Sequence, residues 1–578
     1  MLTVRGAAKL FLVVLALGVL FWPGIQHHWK LAQDPYFVPF DASHVIPPFF
    51  KFHRNDPTPT NYIKEYYLNA LSPPLYKASI WVGGQFADVR HFQLAMLYLT
   101  YAVFIVILGR LGWLLGGATL SFAVMALTIT AWCFIGLGFL GATPRMYAYP
   151  VIALILYSLI RDRPQLLAVT VIVSGMLYPI VATIGGLCLA SWMLLKPLSA
   201  LGTVSQWRGS RRLATMILTS FLTLAGLLPM WLDSQPYGRR VIAADIRLYP
   251  EAGPDGNYRV YDQLPYKLFG TESIAYFLGP TYSHGDAIVP WINAHKKLSS
   301  TTLLSVVALT GLIVLVVVWA SIRSLLKEDR CGVAARLITF FLVCVVLHVL
   351  AWLGAPYLYI PNRFFMYSLP FVITLLFPWS LHRLLNQIPR LRSSATFHGI
   401  IFLAIISVYL MLFGGRGNVE FAASSETQLS KPLAQAITTL PKDVVIAGWP
   451  AAEIRNVEYV TRRNVFFTAA THQVLHLTYM NTLRQRMNAM FDAYLSTDSV
   501  PLVRLRQEFG VTHLLVNTQD FTDPTHAPEY FAPWRERIPP RLAEIKGKEY
   551  LMNKALQKSA AVFDQDGLIL LDLAKLPQ

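Results

Sequence analysis

The chain has 578 residues, of which 54% are hydrophobic and only 14% are charged. Soluble domains carry about a quarter charged residues, so this composition cannot cover a water-facing surface and excludes an ordinary cytosolic enzyme or a disordered protein. The formal net charge of +17 would favour nucleic acid as the partner of a soluble protein. In a membrane protein the same lysines and arginines mark the cytoplasmic loops, and no nucleic acid is needed to explain them.

Apolar runs long enough to cross roughly 30 Å of hydrocarbon recur along the first three quarters of the chain. Eleven membrane spans are predicted, at 10–25, 92–109, 113–136, 147–160, 165–179, 180–195, 213–232, 299–321, 337–354, 366–381 and 397–414. Tyr178-Pro179 falls between two short runs, where two half-helices within one region are an alternative to two spans. The first run lacks a small-x-small cleavage site, which favours a membrane anchor over a signal peptide.

Basic residues set the predicted orientation of these spans. With the N-terminus in the cytoplasm, the short inner loops receive Arg110, Arg161, Arg163, Lys196, Arg208, Arg211, Arg212, Arg323, Lys327, Arg330, Arg336, Arg383, Arg390 and Arg392, a positive-inside pattern. Three larger segments then lie outside the membrane: the first loop (26–91), the middle loop (233–298) and the C-terminal segment (415–578). All four cysteines lie in or beside spans, so no disulfide framework is predicted for the exported parts.

The C-terminal segment has the pattern of a soluble protein and predicts an exported mixed α/β domain after a transmembrane domain at 1–414. Short apolar runs bounded by turn or charged residues predict strands at 444–447, 513–516, 561–563 and 568–571. The last two runs flank Asp566-Gly567, which predicts a β-hairpin. Helical spacing with charged faces is found at 473–493 and 500–509.

Motifs for nucleotide or zinc chemistry are absent from the sequence. It contains no GK[ST] phosphate loop, no GxGxxG after a strand, no HExxH and no GxSxG. An ATP-driven transporter and an HExxH metalloprotease are therefore disfavoured. The acidic residues that could carry chemistry gather instead in the first loop.

Asp34, Asp41 and Asp56 lie in the first loop with His44 close by. A helix beginning near Asp41 would place Asp41 and His44 on one face, since they are three residues apart. Asp56 precedes a proline in a pattern typical of a turn and a helix start, which favours capping over catalysis. For Asp41 both roles stay open, because a carboxylate at a dry membrane rim suits a general base or a metal ligand.

The chain has one anchor span, then an acidic outer loop, then many further spans and an exported α/β segment. In this order of its segments, it looks like the GT-C class of membrane glycosyltransferases. Those enzymes use sugars linked to polyprenyl phosphate or pyrophosphate. The segments that resemble uncharacterised bacterial members are DASHV at 41–45, NDPTPTNYIKEYY, SPPLYK, GATPRMYAYPVIALILYSLIRDRP at 141–164, PYLYIPNRFFMYSLP at 356–370, VVIAGWP, TRRNVFFTAATHQVLH and FGVTHLLVN. The resemblance implies a GT-C-like fold in a bacterial inner membrane, surrounded by membrane lipids, with a periplasmic C-terminal segment.

The resemblance also implies roles for single residues. Asp41 matches the acidic residue that acts on the acceptor as a base or metal-coordinating carboxylate, and Asp34 is the second choice. Arg145 and Arg363 would hold the departing phosphate, although interfacial arginines also pair with lipid headgroups. No cofactor is firmly implied, and a divalent metal stays open. The predicted site comprises catalytic Asp41 and Asp34 and substrate-binding His44, Asp56, Arg145 and Arg363.

Other polar residues are weaker candidates. His472 and His476 lie four apart on a predicted helix, but two histidines without further ligands are typical of surface or packing positions rather than zinc. The charged residues of the middle loop are typical of a solvated face: Arg239, Arg240, Asp245, Glu272, His284 and Asp286. The tyrosines that suit a membrane-interface belt before sugar stacking are Tyr66, Tyr67, Tyr357 and Tyr359.

The predicted function is transfer of a sugar from a lipid-linked donor, a polyprenyl phosphate, to an unknown acceptor at the outer face of the membrane. A flippase or transporter of lipid-linked saccharides is the first alternative, but it would carry charges inside its spans, where almost none are found. Further alternatives are a polymerase or ligase that uses an outer-loop histidine or arginine, and a non-catalytic assembly protein.

Overall fold

The computed structural model describes residues 18, 22, 25–26, 28–39, 41–130, 139–199, 202–253, 255–257, 316, 319–320, 323, 331–354, 363–368, 370–392, 394–413, 429–450, 453–523, 526 and 528–576. Two predicted spans, 10–25 and 299–321, lie mostly outside these residues. The described part is rich in helices up to residue 413 and contains a five-stranded sheet between residues 445 and 572.

Three helices of the described residues are long and apolar enough to cross a membrane: Val89–Ile129, Gly209–Tyr237 and Gly332–Ala351. Shorter apolar helices accompany them at Pro144–Ile160, Pro164–Leu177, Pro179–Leu194 and Thr396–Ser407. Further helices before the sheet are Ala42–Val45, Tyr62–Tyr66, Pro74–Gly84, Arg363–Ser368 and Phe377–Leu385. The chain is therefore a multi-pass membrane protein, while the total of eleven spans and their orientation stay predictions.

The long helix Val89–Thr130 consists of two helices joined at Gly116-Gly117. Gly117 has φ +76°, outside the helical range, and the chain reverses there. The two arms are in contact, since the Ser121 hydroxyl donates to the Gly109 carbonyl at 2.7 Å. The predicted break between two spans is confirmed, although it falls a few residues later than expected.

A second reversal lies at Tyr178, between helices Pro164–Leu177 and Pro179–Leu194. Tyr178 is extended, with φ −156° and ψ 90°, so the first helix ends there. Gly185 packs against the first helix so closely that a Cβ would lie 2.9 Å from Val171 Cγ2. The two helices therefore run side by side as a hairpin, while the choice between two spans and two half-helices within one region stays a prediction.

The C-terminal segment folds around a sheet with strand order β2-β1-β3-β5-β4. Strand β1 pairs in parallel with β2 and β3, whereas β5 pairs antiparallel with β3 and β4. Four strands match the predicted runs, and only the two-residue strand β2 was not predicted. The strands are β1 (Val445–Gly448), β2 (Asn464–Val465), β3 (His513–Asn517), β4 (Ala561–Gln565) and β5 (Leu568–Asp572).

The β4–β5 hairpin turns at Asp566 and Gly567, which have φ 54° and 77°. Both angles are positive, as the two-residue turn predicted from Asp-Gly requires. The helices around the sheet are Lys431–Thr439, Ile454–Thr461, Leu477–Tyr494, Val500–Phe509, Gln519–Thr522, Trp534–Ile545 and Lys554–Ala560. The mixed α/β fold is confirmed, while its location outside the membrane and the domain boundary at residue 414 stay predictions.

Gly112 allows the two arms of the Val89–Thr130 hairpin to approach each other. A Cβ at this position would lie 2.8 Å from the Ser121 Cα, a backbone atom that cannot move aside alone. Gly112→Ala should therefore lower the Tm of the protein in detergent, although alanine favours helices over glycine by about 1 kcal/mol. Gly209→Ala is the matched control, because a Cβ there has nothing within 4 Å. Equal Tm values for the two variants would contradict the close packing of the arms.

Candidate active site

Asp41 precedes the short helix Ala42–Val45 and has a left-handed backbone conformation, with φ 59° and ψ −5°. Aspartate is one of the few residues besides glycine that adopt this conformation readily. Its side chain makes no capping hydrogen bond to the helix. The helix predicted to begin near Asp41 is confirmed, Asp41 does not cap it through its side chain, and the catalytic role of this carboxylate stays a prediction.

The Asp41 carboxylate forms an ion pair with the guanidinium of Arg145. Arg145 lies in the 3-10 turn Pro144–Tyr147, which leads directly into the helix Ala148–Ile160. The side chains of Arg145 and Asp41 are 18% and 21% exposed, so solvent reaches the pair but covers only a small part of it. The fold thus brings together two predicted site residues that are far apart in the sequence.

Arg363 begins the helix Arg363–Ser368, one turn before the buried Tyr367. The Tyr367 hydroxyl shares a hydrogen bond of 2.8 Å with the hydroxyl of Tyr178. Arg363 and Arg145 both act electrostatically on Tyr367. Arg145 and Arg363 therefore both lie near enough to Tyr367 to act on it, and the Asp41 carboxylate pairs with the first of them.

Asp34 and His44, two further candidates of the first loop, contact other side chains and backbone groups of the protein. Asp34 Oδ1 accepts a hydrogen bond from the Tyr36 amide at 2.9 Å, and Oδ2 lies 3.8 Å from the Lys431 Nζ. The His44 ring packs edge-on against Tyr67, with 5.9 Å between the ring centroids. The catalytic role of Asp34 and the substrate-binding role of His44 stay predictions.

Asp56 links the first loop to the C-terminal segment. Its carboxylate forms ion pairs with Lys442 and, at 2.8 Å, with Arg462. The hydrogen bond from Lys442 holds the pKa of the Asp56 carboxyl below its ordinary value, and the charge of Arg462 adds to this effect. Its predicted capping role is wrong, because Asn61 caps the helix Tyr62–Tyr66. Its substrate-binding role stays a prediction.

A buried ion pair that the sequence did not reveal holds the first loop against the C-terminal segment. Lys64 Nζ lies 3.0 Å from Glu458 Oε1 and donates to Asn464 Oδ1 at 2.7 Å. Lys64 is 1% exposed and Glu458 is 4% exposed. Burial raises the pKa of the Glu458 carboxyl, and the neighbouring Lys64 opposes that rise. Such residues are almost never fully buried unless they are paired, so each depends on the other.

Two of the tyrosines predicted for a membrane-interface belt belong to this same contact. The Tyr66 ring stacks on Tyr479 with 3.5 Å between centroids, and its hydroxyl shares a 2.9 Å hydrogen bond with His476 Nδ1. The Tyr67 hydroxyl donates to a backbone carbonyl of the C-terminal segment, that of Ala470, at 3.1 Å. The belt prediction is therefore wrong for Tyr66 and Tyr67, which bind protein.

His472 and His476 precede the helix Leu477–Tyr494 rather than lying on it, and both are buried. Burial lowers the pKa of His472 to about 3 and that of His476 to about 4. Both histidines are therefore neutral near pH 7 and serve as packing residues, one of the roles predicted for them. Among the described residues, no three or more His, Cys, Asp or Glu side chains are grouped so that they could hold a metal ion.

The middle loop also contacts the C-terminal segment. Arg239 donates two hydrogen bonds to the Asp245 carboxylate, at 2.7 and 2.6 Å, and Arg240 forms a β-bridge with His476. These contacts give the described charges of this loop structural partners. The remaining candidates lie outside the described residues: Glu272, His284, Asp286, Tyr357 and Tyr359.

No protein-family model matches the chain, and neither does any curated protein. Among solved structures, the chain is similar to ArnT from Cupriavidus metallidurans bound to undecaprenyl phosphate, with a TM-score of 0.48, 13% identity and full coverage of both chains. It is also similar to the Archaeoglobus fulgidus oligosaccharyltransferase in the apo form, with a TM-score of 0.49, 11% identity and coverage of 89% of this chain and 70% of that one. These likenesses concern the fold and assign no role to any residue.

Lys64→Met removes the cation of the buried pair and leaves the Glu458 carboxyl without its partner. Breaking one side of a buried ion pair costs about 3–5 kcal/mol, so we expect a large fall in the free energy of unfolding. The double variant Lys64→Met, Glu458→Met replaces both charges with apolar groups and should recover most of that loss. Denaturant unfolding in detergent measures both effects.

Lys77→Met is the matched control for this prediction. Lys77 belongs to the same loop but pairs with Asp233 at 3.7 Å in a partly exposed position. An exposed pair of this kind contributes about 0–1 kcal/mol. A loss for Lys64→Met no larger than that for Lys77→Met would show that the buried pair does not hold the loop in place.

We expect the folded protein to lose stability as the pH falls from about 6.5 towards 4. Burial holds the pKa of His476 in the folded chain at about 4, and the charge of Arg240 adds to this effect. An unfolded chain takes up this proton near pH 6.5, so below that pH it binds protons that the folded chain does not, which favours unfolding. His476→Gln retains a hydrogen-bonding side chain for Tyr66 but removes the titration, so its Tm should fall less over this range.

His91→Gln is the control for the pH series, because His91 is exposed and its replacement should leave the wild-type slope of Tm against pH. The difference between the Tm slopes of a variant and the wild type excludes the contribution of all other titrating groups, because both proteins contain them. If His476→Gln keeps the full wild-type slope, His476 is not the buried neutral group described above.

Proposed function

We propose that this protein is a GT-C glycosyltransferase that moves a sugar from a polyprenyl-phosphate donor to an acceptor at the outer face of a bacterial inner membrane. The observation that supports this function is the pairing of Asp41 with Arg145, and Arg363 acts electrostatically on Tyr367, as Arg145 also does. This arrangement combines a carboxylate that can accept a proton with two guanidinium groups that can bind a phosphate. The sequence resemblance points to the same three residues.

In the proposed reaction, an acceptor hydroxyl attacks the anomeric carbon of the donor sugar. Its proton passes to the Asp41 carboxylate as the new carbon–oxygen bond forms. The bond between the anomeric carbon and the phosphate oxygen breaks, and its electron pair leaves with the polyprenyl phosphate. A single displacement of this kind inverts the configuration at the anomeric carbon.

The departing phosphate gains negative charge as its bond to the sugar breaks. In the proposed complex, Arg363 and Arg145 donate hydrogen bonds to the phosphate oxygens and stabilise that charge. Arg145 then contacts the phosphate in place of the Asp41 carboxylate, which becomes available for proton transfer. No step is assigned to a metal, and among the described residues no three His, Cys, Asp or Glu side chains are grouped so that they could hold one.

Release of polyprenyl phosphate by the full chain in nanodiscs, measured with a panel of polyprenyl-phosphate sugars and a panel of hydroxyl-bearing lipid and glycan acceptors, tests this function. Asp41→Asn keeps the size of the side chain but removes the base, and kcat should fall by about 10²–10⁴-fold. Arg363→Ala removes a donor to the leaving group, and kcat should fall by about 10²–10³-fold. A flippase would move the same lipid without releasing polyprenyl phosphate.

Asp498→Asn and Arg504→Ala are matched controls that change the same residue types at exposed positions of the C-terminal segment. Both controls should keep wild-type turnover, and a thermal melt should show that all four variants are folded. Turnover that survives both site substitutions would refute the site. Folded wild-type protein that releases no polyprenyl phosphate from any donor would count against the function itself.

A further inference from the structure

A cavity of about 280 Å³ adjoins the segments that carry Asp41 and Arg145. Pro39 and Ile46, on either side of Asp41 in the chain, both line it. Ala142, three residues before Arg145, lines it as well. The remaining walls come from the start of the helix Val89–Thr130, from residues 28–37, and from the C-terminal segment. The cavity therefore lies where the first loop, the helical part and the C-terminal segment meet, next to the segments that carry the proposed reacting groups.

The polar lining of the cavity combines opposite charges with amide groups. Asp34 supplies a carboxylate and Arg90 a guanidinium. Further polar lining residues are Gln33 and Gln93, with amides, and His28 and His91, with imidazoles, and groups of both kinds can donate and accept. A purely anionic ligand would meet the Asp34 carboxylate, and a purely cationic ligand would meet Arg90. A neutral ligand with many hydroxyl groups fits this lining best, because every hydroxyl can donate to one of these groups and accept from another.

The two charged side chains are held by neighbouring groups of the protein. Asp34 Oδ1 accepts from the Tyr36 amide at 2.9 Å. The Arg90 guanidinium donates to the Pro35 carbonyl at 3.4 Å and lies 3.7 Å from Asp88 Oδ1. The Arg90 guanidinium lies over the ring of Tyr459, 5.7 Å from its centroid. Groups that are ordered before a ligand arrives lose little further entropy on binding, which favours recognition of a small polar molecule.

The apolar lining and the volume limit the ligand to a small one. Phe37 and Tyr459 are buried aromatic walls, and Leu94 and Leu97 line the side towards the helix Val89–Thr130. Pockets that bury drug-sized ligands measure about 300–1,000 Å³, so this cavity lies just below that range. Its size suits one ring with both polar and apolar faces rather than an extended oligosaccharide.

We propose that this cavity binds a single neutral pyranose ring and that Asp34 is a sugar-binding residue rather than a base. The inference rests on the proposed function, because the bound ring would be a sugar that takes part in the transfer. It assigns the two first-loop aspartates different tasks. Asp41 accepts the proton, and Asp34 accepts hydrogen bonds from sugar hydroxyls next to it.

Saturation-transfer NMR on the full chain in nanodiscs tests the cavity without requiring turnover. The probes are methyl glucopyranoside, methyl galactopyranoside and methyl mannopyranoside, with glucuronate and glucosamine as charged comparisons. At least one neutral pyranoside should show saturation transfer that exceeds both charged sugars. Asp34→Asn should weaken that binding by about five- to tenfold, because it removes a charged hydrogen-bond acceptor. Ala32→Trp places a large ring at the cavity wall and should abolish the signal.

Asp498→Asn is the matched control, since Asp498 Oδ1 accepts from the amide two residues further on at 2.9 Å, just as Asp34 Oδ1 does. It should leave the saturation transfer unchanged. In the turnover assay, Asp34→Asn should raise KM for the sugar substrate more than it lowers kcat, whereas Asp41→Asn should mainly lower kcat.

The outcomes separate the cavity from the proposed function. A wild-type protein that gives no saturation transfer with any neutral pyranoside overturns the cavity proposal, as does a signal that survives both Asp34→Asn and Ala32→Trp. Turnover with an unchanged KM in Ala32→Trp also overturns it while the transferase function stands. Sugar binding that these variants abolish, in a protein without any turnover, supports the cavity and contradicts the transferase.

Discussion

The site depends on the docking of the first loop against the C-terminal segment. The first two α-helices after Asp41 are short, with four residues at Ala42–Val45 and five at Tyr62–Tyr66, and isolated helices of this length are not stable in water. Their order comes from tertiary contacts, above all the buried pair of Lys64 with Glu458. Val45 packs against both the core of the helical part and the core of the C-terminal segment. The loop that carries Asp41 is therefore positioned from two sides.

A buried ion pair is a costly way to hold two segments together, because both charges lose their hydration. An apolar contact could give similar stability. We therefore interpret the pair as a means of fixing the alignment of the first loop along the C-terminal segment. Lys64 must meet both Glu458 and the Asn464 amide oxygen, and a shift of the loop by one residue would bury an unpaired charge. Arg462 of the C-terminal segment holds the first loop in the same way, since it pairs with both Asp56 and Asp88 of that loop. These pairs limit how far the loop can move relative to the C-terminal segment.

Features that depend on neighbouring residues could be predicted from the sequence. The Asp566-Gly567 turn, the strands around it and the helix after Asp41 each follow from a local pattern of a few residues. Pairings between distant residues could not, because periodicity and spacing contain no information on which surfaces meet. Asp41 and Arg145 were each proposed as site residues, but their pairing was not. The local sequence gives one indication that Lys64 is paired. It stands among apolar and aromatic residues in YIKEYY, and a lysine on a packed face needs a buried partner.

The ion pair of Asp41 with Arg145 also constrains the order of events in the proposed reaction. While Arg145 holds the carboxylate, it stabilises the ionised form and weakens that group as a proton acceptor. The donor phosphate, a phosphodiester with one negative charge, competes for the Arg145 guanidinium when it enters, and two of its oxygens can bind that guanidinium bidentately. Binding of the donor would thereby release Asp41 at the moment when a base is needed. Without a donor the carboxylate stays paired, which keeps the site from activating water or an acceptor before the sugar has arrived.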